Sequence, residues 1–377
     1  MKFFLTGVET NNKGAELMLY AILNEIEHKF PSAEVYISSN NIKQGRSYVK
    51  TPINLIIQHQ DWKYKYHIVG LLKRLGLNMP KFCCPPIIEK ADYYIDASGF
   101  RFSDNFYYAF FDNILLEEMK RYKSQSTKIV FLPQAFGPIK RKETKKVIVG
   151  LSKYADVIMP REIVSFNFLK EADVDMNKVR MFTDFTSLVL GVFPDKYEHL
   201  RGGICVIPNS RMISQGVLTF GSYINIISNI VDLVTSKGYK VYILNHEGQM
   251  DKNLIIKMKE HLGPEIEAIS DLNALEVKGL IESSYLCISS RFHGVASSLN
   301  SSVPCLATSW SHKYYELFKD FGMDDCVLDL KNIDSIKMKI EEFLEFDNNK
   351  TVREKLYSRA SLIKEETKNM WNYIWSI

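Results

Sequence analysis

Leu286-Cys287-Ile288-Ser289-Ser290-Arg291-Phe292-His293-Gly294-Val295-Ala296-Ser297-Ser298-Leu299 is the stretch that decides the fold. The apolar run from Tyr285 to Ile288 reads as a short buried strand, and two serines end it. Arg291 and His293 follow, with Gly294 beside the ring, and small and apolar residues then open a tight helix. A strand running straight into a helix is the unit of an open α/β sheet, where ligands bind beyond the carboxyl ends of the strands. The helix start adds N–H groups and a positive dipole end, so this turn suits an anion.

Outward from that turn the same alternation recurs. Lys2 to Thr6 reads as a strand, a polar loop carries Asn12, Lys13 and Gly14, and Ala15 to Phe30 reads as a helix. Ala33 to Ser38 follows as a strand, so the chain opens on a βαβ unit. Further strands are expected at 91–96, 128–132, 156–159, 203–207, 240–244, 303–308 and 327–330, with helices between most of them. Gly191, Pro194, Gly202 and Gly203 mark a linker near 190–202. The expectation is two doubly wound α/β domains, 1–195 and 196–377, with strand-end loops facing a cleft.

Composition bounds the rest. A chain of 377 residues exceeds one ordinary core, and 46% hydrophobic with 24% charged residues describes a globular protein. A net charge of +4, without a basic stripe interleaved with aromatics, gives no nucleic-acid binder. Six cysteines without a CxxC pair read as structural thiols of a reducing compartment. No signal-peptide pattern and no long uncharged apolar run is present, so a cytoplasmic location is expected. Residues 61–82 mix Trp62, Tyr64, Tyr66 and Leu71 with Lys63, Lys65, Lys73, Arg74 and Lys81. A solvated basic helical face is the plainer reading. Peripheral contact with the inner face of an anionic membrane, or with a lipid-linked acceptor, is the sharper one.

Candidate site residues collect at strand ends. Arg161, Arg211, Arg291, Lys313, His246, His293 and His312 each follow an expected strand, as do Asp96 and Asp184. Several cations at strand ends would suit a small polyanion, because the guanidinium fork matches phosphate and carboxylate. Each has a plain alternative. Arg291 and His293 would be a structural ion pair and a ring satisfied by a carbonyl, while His246 and His312 would be exposed loop residues. Asp96 would be a turn residue and Asp184 a cap. The His and acid spacing gives no metal site, and GxSxG is absent, which argues against a Ser hydrolase of the nucleophile-elbow type.

Ser-Ser-Arg291-Phe292-His293-Gly, then Val303-Pro304, then Lys313 ahead of a helix, resembles the polysaccharide pyruvyl transferase family. The first loop from Asn12 to Glu16, the strand end Asp96 to Gly99, Gln134 to Pro138, Pro160-Arg161-Glu162 and Thr183-Asp184 follow in that family's order. The resemblance implies a GT-B-like fold of two Rossmann-like halves, with phosphoenolpyruvate as donor substrate, no cofactor, and a sugar or lipid-linked oligosaccharide as acceptor. It implies that Arg161 and Arg291 grip the donor and that His293 moves a proton or contacts phosphate. Asp96 would orient or deprotonate the acceptor hydroxyl. Asn12, Gly14, Ser98, Gly99, Phe292 and Lys313 complete the implied binding set. Two loops depart from the family's pattern: Ser98-Gly99-Phe100 carries one glycine, and Lys13-Gly14 stands where Gly-Asp is common. A nucleotide-sugar glycosyltransferase of similar fold remains as an alternative, and would need an acid such as Glu276 or Glu282 for a ribose. A non-catalytic partner that kept the fold is a third reading.

Overall fold

In the computed structural model the described residues are 1–38, 53–56, 87–106, 111–308 and 312–377, with the side chains of 38, 53, 55, 56, 106, 111–114, 312 and 313 left aside. The membrane-contact expectation at 61–82, and Cys83 and Cys84, lie outside them.

The chain forms two compact units. The first is Met1–Thr10, Met18–Phe185 and Glu366–Ile377, and the second is Asn11–Leu17 and Thr186–Glu365. The halves expected at 1–195 and 196–377 differ from these units at three short segments, one of them residues 186–195, which lie with the second unit. Residues 11–17 fold with the second half, and residues 366–377 with the first.

The first unit holds β1 (Lys2–Thr6), β2 (Glu34–Ser38), β3 (Ile53–Ile56), β4 (Tyr93–Asp96), β5 (Lys128–Gln134) and β6 (Val157–Pro160). They pair in parallel in the order β3-β2-β1-β4-β5-β6. Helices α1 (Lys13–Lys29), α2 (Phe111–Lys123), α3 (Lys142–Tyr154) and α4 (Ile163–Glu171) alternate with the strands. Strand order reverses between β1 and β4, the switch point of a Rossmann-like sheet.

The second unit holds β7 (Ile204–Ile207), β8 (Val241–Leu244), β9 (Glu267–Ile269), β10 (Leu286–Ser289) and β11 (Cys305–Ala307), all parallel in the order β11-β10-β7-β8-β9. Its helices are α5 (Arg211–Ser214), α6 (Phe220–Ser236), α7 (Gly248–Leu262), α8 (Ala274–Glu282), α9 (Phe292–Asn300), α10 (His312–Asp320) and α11 (Ile333–Leu344). Helix α12 (Phe346–Ser376) carries the chain to its end. The switch point here lies between β7 and β10.

Sequence explains the strands. Ile-Cys-Val-Ile, Val-Tyr-Ile-Leu and Leu-Cys-Ile-Ser are buried throughout, as parallel strands covered on both faces must be. Cys205, Cys287 and Cys305 share one rung across β7, β10 and β11, buried and unoxidised. They behave as small hydrophobes. The expected last strand at 327–330 is a single bridge, Val327 to Ala307. Strands β3 and β9 and helix α7 were not among the sequence expectations.

Residues 366–377 close the first core with aromatics. Trp371 and Trp375 stack at 5.4 Å. Trp375 stands edge-on to Phe3, Phe30 and Tyr93 at 6.1, 5.3 and 5.4 Å, and Trp371 to Phe185 at 6.1 Å. Such edge-on pairs add about 0.5–1.5 kcal/mol each beyond the area they bury. No helix among the described residues is long and apolar enough to cross a membrane.

Candidate active site

Strand β10 delivers Ser290 and Arg291 to the switch point of the second unit, and hydrogen bonds fix the turn there. The Ser290 carbonyl accepts from Asn209 Nδ2 at 2.9 Å and from the Tyr314 hydroxyl at 2.9 Å. The Ser290 hydroxyl meets Tyr223 Oη at 2.7 Å and the Thr308 hydroxyl on its other side. Ser289 Oγ accepts from the Arg291 amide at 3.0 Å. Gly294 is required by packing rather than for an open backbone, since a Cβ there would strike Ser289 Oγ.

The Arg291 guanidinium is engaged on both edges. Nε and Nη2 donate to Asp251 Oδ2 and Oδ1 at 2.8 and 2.6 Å. Nη1 forms a close ion pair with Glu247. Arg291 is 7% exposed and Asp251 is fully buried. Burial pulls Arg291 down to about 10 and pushes Asp251 up to about 6, so both are charged at neutral pH. The fork expected to grip the donor thus holds internal carboxylates in this structure. Sequence reading missed Asp251 because it missed α7. Leu254, Ile255, Met258 and Leu262, buried on that helix, were the readable signal.

His293 stands in the first turn of α9, half-buried and edge-on to Phe292 at 5.4 Å. Its ring lies against the start of α1. A Cβ on Gly14 would collide with His293 Nδ1, so only glycine permits this approach. Asn12 caps that helix, its Oδ1 accepting from the Gly14 and Ala15 amides at 2.9 and 3.2 Å. Asn12 Nδ2 donates to Glu247 Oε1 at 3.1 Å. Lys13 pairs with the buried Glu16 at 2.6 Å, and Glu16 also accepts from the Ala274 amide at 3.2 Å. Asn12, Gly14, Arg291, Phe292 and His293 therefore gather in one unit, although the first loop was expected in the other.

His246, expected in an exposed loop, is 5% exposed. Burial, then the positive fields of His293, Arg291 and Lys13, hold it well below the ordinary imidazole range. It is neutral at physiological pH. Lys313 opens α10, and its side chain, like that of His312, lies outside the described residues.

The first unit builds its own turn. Asp96 ends β4, fully buried, and its carboxylate accepts from the Ser98 amide, the Ser98 hydroxyl and Gln134 Nε2, each at 3.1 Å. Arg101 Nη1 stands 3.6 Å away. The Gly99 carbonyl takes the Ala135 amide at 2.9 Å. Arg161 follows β6, largely buried, with its amide on the Gln134 carbonyl at 3.1 Å. Glu162 caps α4 through the Ser165 amide at 2.6 Å. Asp184 is buried in the same unit. Sequence reading overlooked Glu118 on α2, 8% exposed. Burial, only partly offset by Arg101 and Arg121, raises its carboxyl to about 7.

The two acids considered for a ribose contact are both engaged. Glu276 forms a capping box with Asn273. Glu282 accepts from the Gly191 amide and the Ser301 hydroxyl at 3.0 and 2.9 Å and faces Lys278 Nζ at 3.3 Å.

Comparison with known proteins agrees with the fold and narrows the family. Residues 12–312 match the polysaccharide pyruvyl transferase family. Among solved structures, the UDP-GlcNAc 2-epimerase from Neisseria meningitidis bound to UDP-GlcNAc is similar at 11% identity and a TM-score of 0.61, covering 100% of both chains. Anabaena HepE in complex with UDP and glucose gives 9% identity and 0.62, again over 100% of both. S. aureus MnaA with UDP gives 10% and 0.59, over 99% of this chain and 95% of that one. At such identities the likeness is one of fold, two Rossmann-like domains of GT-B type.

Proposed function

This chain belongs to the polysaccharide pyruvyl transferase family, and from that premise we propose that it moves the pyruvyl group of phosphoenolpyruvate onto a sugar of a surface-polysaccharide precursor, closing a cyclic ketal. The observation that carries the reading is the gathering of His293, Arg291 and Arg211 beside the α1 start within the matched segment. A titratable ring, cations and helix-start amides are what a phosphorylated enol requires.

The chemistry follows from these residue types. A proton added to the methylene carbon creates oxocarbenium character at the central carbon. A sugar hydroxyl attacks there and gives up its proton, the C–O bond to phosphate breaks as hydrogen phosphate leaves and restores oxocarbenium character, and a second hydroxyl loses its proton as it closes the ketal. His293 is assigned the proton step, a role typically worth ~10²–10⁴-fold. Arg291, with Arg161 and Lys313, is assigned to the donor's negative charge, with Phe292, Asn12 and Gly14 forming its surroundings. Asp96, Ser98 and Gly99 are assigned to the acceptor hydroxyl, with Asp96 orienting it through Ser98 and Gln134. No cofactor is required. Action on a lipid-linked acceptor at the inner membrane face fits the same reading.

Purified protein given phosphoenolpyruvate and a galactose- or mannose-bearing acceptor should release inorganic phosphate, and mass spectrometry should find the added pyruvate on the glycan. An Arg291→Ala variant releasing phosphate at the wild-type rate would sink the role given to that residue. The nucleotide-sugar alternative draws on the fold shared with UDP-bound proteins. It is weakened by the engagement of Glu276 and Glu282. Thermal stabilisation by a nucleoside diphosphate but not by phosphoenolpyruvate would favour it.

A further inference from the structure

The two carboxylates on Arg291 are not equivalent. Asp251 is fully buried on α7, bidentate to the guanidinium, and further held by the Ser210 amide at 2.9 Å. Glu247 lies in the loop before α7, takes a single guanidinium nitrogen, and has a side chain 24% exposed. It occupies the N-cap position of α7 without capping it. Its other contacts are Asn12 Nδ2 at 3.1 Å and Arg211 Nη2 at 3.9 Å. One half-buried carboxylate thus sits between two arginines and the residue that caps α1.

We infer that Glu247 is an internal counter-anion, which the anionic donor must displace from Arg291 and Arg211, and that it sets the affinity of the site for anions. The inference rests on the donor-binding reading above. Asp251 keeps the guanidinium aligned throughout, so on Arg291 the exchange occurs at Nη1. Glu247 swings toward solvent as the donor arrives, and Arg291 keeps an anionic partner in both states. An unpaired buried guanidinium would be costly, and this exchange avoids one. Specificity follows as well, since a neutral ligand cannot replace a carboxylate there.

The test is isothermal titration of the full-length protein and its Glu247→Gln variant with phosphoenolpyruvate and with inorganic phosphate, at low salt. Glutamine keeps the size and the acceptor for Asn12 and loses only the charge. The variant should bind phosphoenolpyruvate about 3- to 10-fold more tightly, by removal of a competing charge at contact distance. The gain should shrink as salt rises. Glu247→Ala should tighten binding in the same direction, and far-ultraviolet circular dichroism identifies any variant that is not folded. Wild-type binding with equal or weaker binding by both folded variants overturns the inference and leaves the donor reading standing. Wild-type protein that binds neither anion overturns both.

Discussion

The turn after Asp96 and the turn after Ser289 occupy the same topological place, each at the point where its sheet reverses strand order. They are built with opposite chemistry. In the first unit a buried carboxylate is saturated by an amide, a hydroxyl and a carboxamide. In the second a buried guanidinium is paired with two carboxylates. A charge at a switch point is therefore not in itself an open hand. Position tells where a ligand could arrive, and the internal partner tells what the ligand must replace. Asp96 is held by Ser98 and Gln134, and the exchange inferred above belongs to Arg291.

The contrast should appear first in stability. Asp251→Ala leaves the Arg291 guanidinium buried against a single half-buried partner. It should cost about 3–5 kcal/mol in urea unfolding, the scale of a broken buried ion pair. A loss under 1 kcal/mol would mean that the pair is not a structural element of the second unit. The next effect concerns protons. The Glu118 carboxyl is raised from 4.5 to about 7 by burial. A raised folded-state value gives stability that is complete below 4.5 and is lost as pH rises through about 7. Glu118→Gln should thus be about 3 kcal/mol more stable than wild type at pH 8 and nearly equal to it at pH 4.5. His246 runs the other way, because its folded-state value is lowered. Its contribution is complete above 6.5 and is lost as pH falls below that. Glu118 and His246 should therefore answer acid in opposite senses, and a pH-independent Glu118→Gln difference would break that half of the comparison. The smallest effect is Asp96→Ala. The hydrogen-bond donors it strands are neutral and Arg101, its ion-pair partner at 3.6 Å, is solvated, so about 1–3 kcal/mol is expected. A larger loss than for Asp251→Ala would reverse the ranking of the two turns.

The sheets were legible because parallel strands buried on both faces leave unbroken apolar runs, as in Ile204–Ile207 and Leu286–Ser289. The Ser289–Gly294 turn was legible for the same reason, since it follows such a run. Its partners were not. Asp251 lies 40 residues away in sequence from Arg291, and no local period links them. The nearest signal was the apolar pattern of α7, which would have placed Asp251 one turn after Glu247. Strand β9 spans only three residues, too few to alternate. Gly14 read as a turn glycine, and its reason is a histidine ring 279 positions later. Glu118 read as one more polar residue on an amphipathic helix, and only the packing of α2 turns it into a buried acid.

The aromatic closure by residues 366–377 bears on the order in which the molecule is completed. A ribosome makes Phe3 and Tyr93 long before Trp371 and Trp375. Domains usually fold as they emerge, the N-terminal one first. Here the sheet made first lacks its edge-on tryptophan until the second unit has been made. On the nascent chain, the earlier half of the sequence is the later half to mature.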